Sequence, residues 1–382
     1  MYSIADYGSM IADRVRMDAY VQALRQVVKP DSVVLDIGTG TGIFALLACQ
    51  FGARRVYALE PNDAIQLARE MAAANGYADR ITFMQTLSTQ ATLPEPADVI
   101  VSDIRSLLPF FQHHLPSIVD ARKRHLAPGG ILIPQRDTVW VAVAEAAEWY
   151  GRKINVWDDN CYGLDMSAAR RFTTNTLYKI RVAPKQLIAE PKCWATLDYA
   201  TVESPNTCAE LSWSASRAGT AHGLSMWFDT TLCDGVRFSN APGAPAAIYA
   251  NMFFPWPSPV KLTAGDTISL TLHADLIGED YLWRWHTRVL HQGRLDQIQA
   301  DFRQSTFLAS PLSPERLAKL ADSHVPTRNE DAEIDHFILG QMDGRTPLGE
   351  IARRLMDQFP SCFVRWQDAL TRVGKLSQTY SR

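Results

Sequence analysis

The residues best suited to chemistry cluster around glycines. Asp36-Ile37-Gly38-Thr39-Gly40-Thr41-Gly42 follows the apolar run from Val33 to Ile37 and precedes an apolar helical stretch from Ile43 to Phe51. Glycine in a strand-to-helix turn permits positive φ and lets a ligand lie against bare backbone. Such turns, at the carboxyl ends of parallel strands, are where open α/β sheets bind ligands. The spacing is GxGxG rather than GxGxxG, which favours a ligand smaller than a dinucleotide pyrophosphate. A tight turn with no ligand has the same pattern. About twenty residues beyond Gly40 the next strand ends in Glu60, where an acid can accept hydrogen bonds from both ribose hydroxyls. A solvated strand end is the alternative for Glu60 alone. Together the two features point to a nucleoside-binding α/β domain.

A second chemical segment follows Asp98-Val99-Ile100-Val101-Ser102. Asp103 stands at the carboxyl end of that strand, where catalytic groups gather. Arg105, Gln112, His113 and His114 follow it. Histidine titrates closest to neutrality, so His113 or His114 is a candidate general base. Capping of the next helix, or plain exposure, is the alternative. The cysteines Cys49, Cys161, Cys193, Cys208, Cys233 and Cys362 are scattered without a CxxC pair, so neither a zinc site nor a disulfide framework is expected.

These groups need a scaffold. In the first third, apolar strands alternate with helices, with a helix from Ala64 to Asn75 and strands near Arg55 to Glu60, Ile81 to Gln85 and Ile131 onward. Strands apolar on both faces between helices predict a parallel sheet covered on both sides. After Pro134 many short β segments are separated by Gly, Pro, Asn and Asp, which predicts a sandwich or barrel. The stretch from Glu145 to Thr176 reads as a helical insertion. Past a Ser310-Pro311-Leu312-Ser313-Pro314 linker, three apolar stripes predict a small helical bundle or winged helix. They are Ile334, Phe337, Ile338 and Met342; Leu348, Ile351 and Leu355; and Trp366, Leu370 and Val373.

The 382 residues suit two or three domains. A 47% hydrophobic content allows each a core, and a net charge of −3 gives no drive toward nucleic acid or anionic lipid. No apolar run is long enough for a membrane span, and the N-terminal residues lack the pattern of a signal peptide. A reduced, cytoplasmic protein is expected.

Val34 to Ile43, followed by Ala58-Leu59-Glu60, resembles the cofactor motif of S-adenosylmethionine-dependent methyltransferases. More specifically, the chain resembles the protein arginine methyltransferases. The likeness also rests on Met10-Ile11-Ala12-Asp13-Arg14-Val15-Arg16, on residues 121–134 around Pro128-Gly129-Gly130, on residues 157–167 around Tyr162-Gly163-Leu164, and on Ala183-Pro184-Lys185-Gln186-Leu187-Ile188. It spans about residues 5–300. The resemblance implies a Rossmann-like domain over residues 1–134 and a β-barrel over 135–305 with a helical dimerisation arm near 145–176. It also implies a head-to-tail homodimer. By the same resemblance, Arg16 pairs with the cofactor carboxylate and Met10 packs near the sulfonium. Gly38, Gly40 and Gly42 underlie the methionine moiety and Glu60 takes the ribose. Asp36 and Ser88 complete the expected cofactor set.

That family holds the acceptor guanidinium between two glutamates, because forked donors on a permanent cation suit paired carboxylates. Here Asp103 stands at the first glutamate position and the neutral Gln112 at the second, while Arg105 adds a positive charge to the same loop. One unit charge at roughly 4 Å and an effective dielectric of about 20 is worth around 4 kcal/mol, enough to spoil a cation site. The family's Thr-His-Trp loop is expected at Phe254-Pro255-Trp256, with only the tryptophan kept. Asp103, Gln112 and His113 are therefore the expected catalytic set, and Arg105 and Trp256 the expected substrate contacts. A histidine, an unprotonated amine, a carboxylate or a hydroxyl fits this loop better than arginine, and arginine stays open as an acceptor if Asp103 works with an acid from elsewhere. The segment 315–382 resembles the winged-helix peptide-binding domains of PqqD type, which take leader peptides by strand addition. A peptide or protein substrate follows from that likeness. A small-molecule methyltransferase and a cofactor-binding scaffold are the alternatives.

Overall fold

A computed structural model of the chain describes residues 2–158, 162–292 and 294–381, and the elements below are those of the described residues. Asn160 and Cys161 of the expected arm lie outside them. The chain divides into two compact units, Met1–Pro311 and Leu312–Arg382.

The first unit opens with helices α1 (Ile4–Ala12) and α2 (Arg14–Val27). A parallel α/β layer follows: β1 (Val33–Ile37), α3 (Ile43–Gln50), β2 (Arg55–Leu59), α4 (Ala64–Ala74), β3 (Ile81–Met84), β4 (Ala97–Ser102), α5 (His114–His125) and β5 (Leu126–Ile133). The five strands order β3-β2-β1-β4-β5. Every residue of β1 is buried, as expected for a central strand covered by helices on both faces. The chain builds outward from β1 to β3, then returns to lay β4 on the other side, so a topological switch point lies between β1 and β4. The register places the chemistry there. Ile37 pairs with Leu59 and with Ser102. The residues that follow those three are Gly38, Glu60 and Asp103.

Two antiparallel sheets make up the rest of the unit. The first comprises β6 (Arg136–Ala144), β7 (Tyr178–Ile180), β8 (Lys192–Asp198), β10 (Gly219–Cys233), β11 (Val236–Ser239) and β12 (Asn251–Leu262). The second comprises β9 (Thr207–Ser214), β13 (Thr267–Ile277), β14 (Asp280–His291) and β15 (Arg294–Ser305). Helices α6 (Ala147–Lys153) and α7 (Arg170–Thr174) interrupt the strands at the expected insertion. Trp194, Phe254, Trp283 and Trp285 fill the space between the sheets, and Phe110, from the loop after β4, packs edge-on against Trp194 at 4.9 Å. That contact ties the parallel layer to the β region.

The second unit carries α8 (Pro314–Ala318), α9 (Glu330–Gly340), α10 (Leu348–Gln358) and α11 (Trp366–Tyr380). Its core is Ile334, Ile338, Ile351, Leu355 and Val373 from the three expected stripes, with Ala352 and Ala369 beside them. No strand forms among its described residues. The segment between α9 and α10 is a tight turn, in which the Asp343 carboxylate accepts from the Arg345 and Thr346 amides.

One side chain of the first unit holds two distant segments. The Asp13 carboxylate caps α2, accepting from the Arg16 amide at 3.2 Å, and its second oxygen accepts from the Ile248 amide at 2.6 Å. Asp13→Ala removes a cap and leaves a half-buried amide unpaired, so it is expected to lower stability by about 1–2 kcal/mol. A shift of the denaturant midpoint at unchanged slope checks this.

Candidate active site

The glycine turn is shaped by its neighbours. Gly38, Gly40 and Gly42 all have positive φ, at +73°, +54° and +87°. A Cβ on Gly38 would lie 2.3 Å from Ile104, and one on Gly40 would lie 2.4 Å from the Tyr7 ring of α1. Only bare backbone fits under those two side chains. The Glu60 carboxylate, 4% exposed, accepts from the Gly40 amide at 3.0 Å and from the Asn62 amide and side chain at 3.0 and 2.7 Å. Asp36 is fully buried. Its Oδ2 accepts from the Thr39 hydroxyl and the Ala45 amide, while its Oδ1 has no partner. Burial pushes this carboxyl up to about 7, against the pull of those two hydrogen bonds. A cradle that a Cβ would fill, a buried acid at the end of β2 and an orphaned buried oxygen beneath the turn fit an adenosyl ligand. Ser88 is buried in the loop after β3, where its carbonyl accepts from Arg124.

Beside the turn, Asp103 is the centre of a buried charge network. Its Oδ2 accepts from Arg16 Nε at 2.5 Å and from the Tyr249 hydroxyl at 2.6 Å. Its Oδ1 accepts from Arg105 Nε and Nη2 at 3.2 and 3.1 Å. Burial alone would raise this carboxyl, but the Arg16 and Arg105 charges, with the Tyr249 hydroxyl, hold it at about 2. Arg16 lies over the Tyr20 and Phe44 rings, and its Nη1 donates to the Met10 carbonyl at 3.2 Å. Arg105, whose side chain has no exposure, also donates from Nη1 to Asp137 at 2.7 Å and Thr230 at 2.9 Å, and from Nη2 to the Tyr20 hydroxyl at 2.9 Å. Asp137 in turn accepts from the Tyr199 hydroxyl at 2.6 Å, which meets His114 Nε2 at 2.9 Å. Since the Tyr199 hydroxyl donates to Asp137, His114 Nε2 is the donor in that contact. Its Nδ1 has no partner.

The expected acceptor-side residues divide. Asp103 and Arg105 meet, but Arg105 is not placed to touch a substrate, because its forked donors are used within the chain. Gln112 is exposed, at φ +42°, and outside the network. His113 is also exposed and pairs with Glu279 at 3.0 Å, on a hairpin tip of the second β-sheet. His114 is buried and pushed down to about 3 by burial and the Arg105 charge, so it is held neutral and is a poor base. Trp256 is fully buried in mid-β12 against Phe302, and its carbonyl accepts from Tyr150. The aromatic that reaches the network is Tyr249, two residues before β12, set in place by the Asp13–Ile248 bond. Asp137, Tyr20, Thr230 and Tyr199 were also missed, because only the fold brings them around Arg105.

His114 gives this network a pH signature. Unfolded, it takes a proton below about pH 6.5; folded, it stays neutral until about pH 3. Its contribution to stability is full above pH 6.5 and is lost as the pH falls toward 3, by about 1.4 kcal/mol per pH unit. His114→Gln keeps a donor to Tyr199 and cannot titrate. Between pH 7 and 4 the wild type is expected to lose stability relative to His114→Gln, as read by denaturant melts; the opposing contribution of Asp36 cancels in that difference.

Residues 135–277 match the family described as arginine methyltransferase oligomerization subdomain, and residues 18–155 match ribosomal protein L11 methyltransferase (PrmA). Probable protein arginine N-methyltransferase 6 of Arabidopsis thaliana is 29% identical over 63% of this chain and 56% of its own length. Protein arginine N-methyltransferase 6 of Xenopus laevis is 30% identical over 60% of this chain and 71% of its own. Among solved structures, a Trypanosoma brucei PRMT1 enzyme-prozyme heterotetrameric complex with AdoHcy superposes with a TM-score of 0.72 at 24% identity, over 79% of this chain and 98% of that one. The Arabidopsis thaliana protein arginine methyltransferase 10 gives a TM-score of 0.68 at 22% identity, over 79% and 97%. With the switch-point site and the two antiparallel sheets on the same frame, the chain belongs to the protein arginine N-methyltransferase family of S-adenosylmethionine-dependent methyltransferases.

Proposed function

We propose that this methyltransferase transfers its methyl group to a peptide or protein side chain other than arginine. The observation that carries this reading is the engagement of Asp103: Arg16, Arg105 and Tyr249 take the oxygens that a guanidinium would need. S-adenosylmethionine, when bound, would supply a sulfonium methyl that an acceptor lone pair takes by direct displacement, with S-adenosylhomocysteine as the leaving group. Arg16 is the residue to hold the cofactor carboxylate, Glu60 the ribose hydroxyls, and the bare turn from Gly38 to Gly42 the backbone platform.

The proton inventory narrows the acceptor. Asp103, at about 2, takes no proton near neutrality, and His114, at about 3, is also a poor base. The Tyr249 and Tyr20 hydroxyls are pushed upward, chiefly by burial, and stay protonated. A nucleophile that must lose a proton before attack finds no taker in this network. An imidazole nitrogen, a carboxylate or an amine arriving unprotonated does not need one. The arm supports a further part of the reading, self-association: Val156, Tyr162, Leu164 and Met166 are exposed apolar side chains inside the segment that matches the oligomerization subdomain. A leader peptide at the C-terminal unit would lie on helix faces, since no strand edge is present among its described residues.

A second reading is a cofactor-binding subunit that transfers nothing. The saturated Asp103 favours it, and one solved structure of this fold is an enzyme-prozyme complex. The full chain, methyl-labelled cofactor and a peptide set varied at one acceptor position separate the two. Expected are cofactor binding, weakening about ten-fold or more in Glu60→Ala through two lost charge-assisted hydrogen bonds, and label on a histidine, carboxyl or amine peptide. Label on arginine at comparable rate contradicts the proposal. Tight binding without transfer to any peptide supports the second reading.

A further inference from the structure

We propose that Arg105 is a resident stand-in for an acceptor guanidinium and determines the specificity of the site. The proposal rests on the reading of this network as the acceptor side of a methyltransferase, and it names the residue that closes the site to arginine. A guanidinium has five N–H donors in a rigid fork. In Arg105 all of them have acceptors: Nε on Asp103, Nη1 on Asp137 and Thr230, and Nη2 on Asp103 and Tyr20. The faces of Phe228 and Phe238 lie 5.0 and 5.8 Å from its central carbon. Paired carboxylates at the edge and aromatic faces above are what recognition of a guest guanidinium requires. Here they are built around one of the chain's own side chains.

The charge count gives the consequence. Arg16 and Arg105 face Asp103 and Asp137, two cations against two anions. The remaining buried acids nearby, Asp36 and Glu60, are committed to the glycine turn. A further cation would enter with no counter-charge, and burying an unpaired charge is strongly unfavourable. A neutral or anionic guest meets no such barrier. Asp137 has a defined part in this: it pairs with Arg105 at 2.7 Å, so removing Arg105 alone frees a buried carboxylate to serve as the counter-charge of a guest guanidinium.

The test compares the full-length wild type with Arg105→Met, which keeps Asp103 and Asp137. Binding of a glycine- and arginine-rich peptide, and of its lysine counterpart, is measured with and without S-adenosylhomocysteine, after melting curves establish that both proteins are folded. The variant is expected to bind the arginine peptide at least ten-fold more tightly than the wild type, with a smaller gain for lysine, whose ammonium meets the freed charge but lacks the fork. Should that variant not fold, Arg105→Gln removes the same charge while keeping an amide donor for the buried carboxylates, and the same gain is expected. A folded variant with unchanged arginine affinity overturns the proposal, as does a wild type that already binds the arginine peptide as tightly as the variant. Cofactor binding separates this from the wider reading: failure of the wild type to bind S-adenosylhomocysteine counts against methyl transfer, whereas intact cofactor binding with no gain for arginine counts against Arg105 alone.

Discussion

The structure around the site depends on one buried carboxylate and the cations it holds. Asp103 leaves the end of β4 at the switch point and is gripped by Arg16 from α2, Arg105 from its own loop and Tyr249 from the segment before β12. Three parts of the chain distant in sequence therefore meet on two oxygen atoms. An ionised carboxylate inside a protein is tolerable only with such partners. Here they hold it at about 2, against the upward push of burial. Removing any one partner would leave charge uncompensated in a region where Tyr20 and Phe44 exclude water.

The same interaction joins the two halves of the first unit. Through Arg105 the network passes to Asp137 at the start of β6, to Thr230 on β10, and on to Tyr199 and His114. The glycine turn next door keeps separate partners, Glu60 and Asp36. Cofactor-side and acceptor-side groups thus share an edge of the sheet but not hydrogen bonds, except where Arg16 bridges from the α1–α2 segment. This separation explains how a methyl-donor platform can persist while the neighbouring electrostatics change.

The sequence was most legible where local physics decides the outcome. The apolar β1 run, the glycines after it and the acid ending β2 define a switch-point site, because strand period, turn chemistry and sheet order all agree there. The three C-terminal stripes likewise became α9, α10 and α11. What was not legible depends on long-range packing. Arg105 reads as a loop cation open to substrate until Asp137 and Tyr20 are seen around it. His113 and His114 are adjacent, yet the start of α5 turns one to solvent and the other into the interior. Trp256 attracts attention as a tryptophan, but it lies in the wholly buried stretch of β12 from Phe253 to Trp256, and Tyr249 is the aromatic that reaches Asp103. Between α9 and α10, Asp343 closes the turn by accepting from the Arg345 and Thr346 amides.

The central claim is that Asp103 is committed to the chain's own cations rather than to a guest. The most direct measurement is a crystal structure of the full chain with S-adenosylhomocysteine, read at the Asp103 carboxylate. The account predicts Arg105 still donating to Asp103 and Asp137, with Tyr249 on the other oxygen. An Asp103 freed from Arg105 and turned, together with a second carboxylate, toward the space beyond the cofactor sulfur would contradict it.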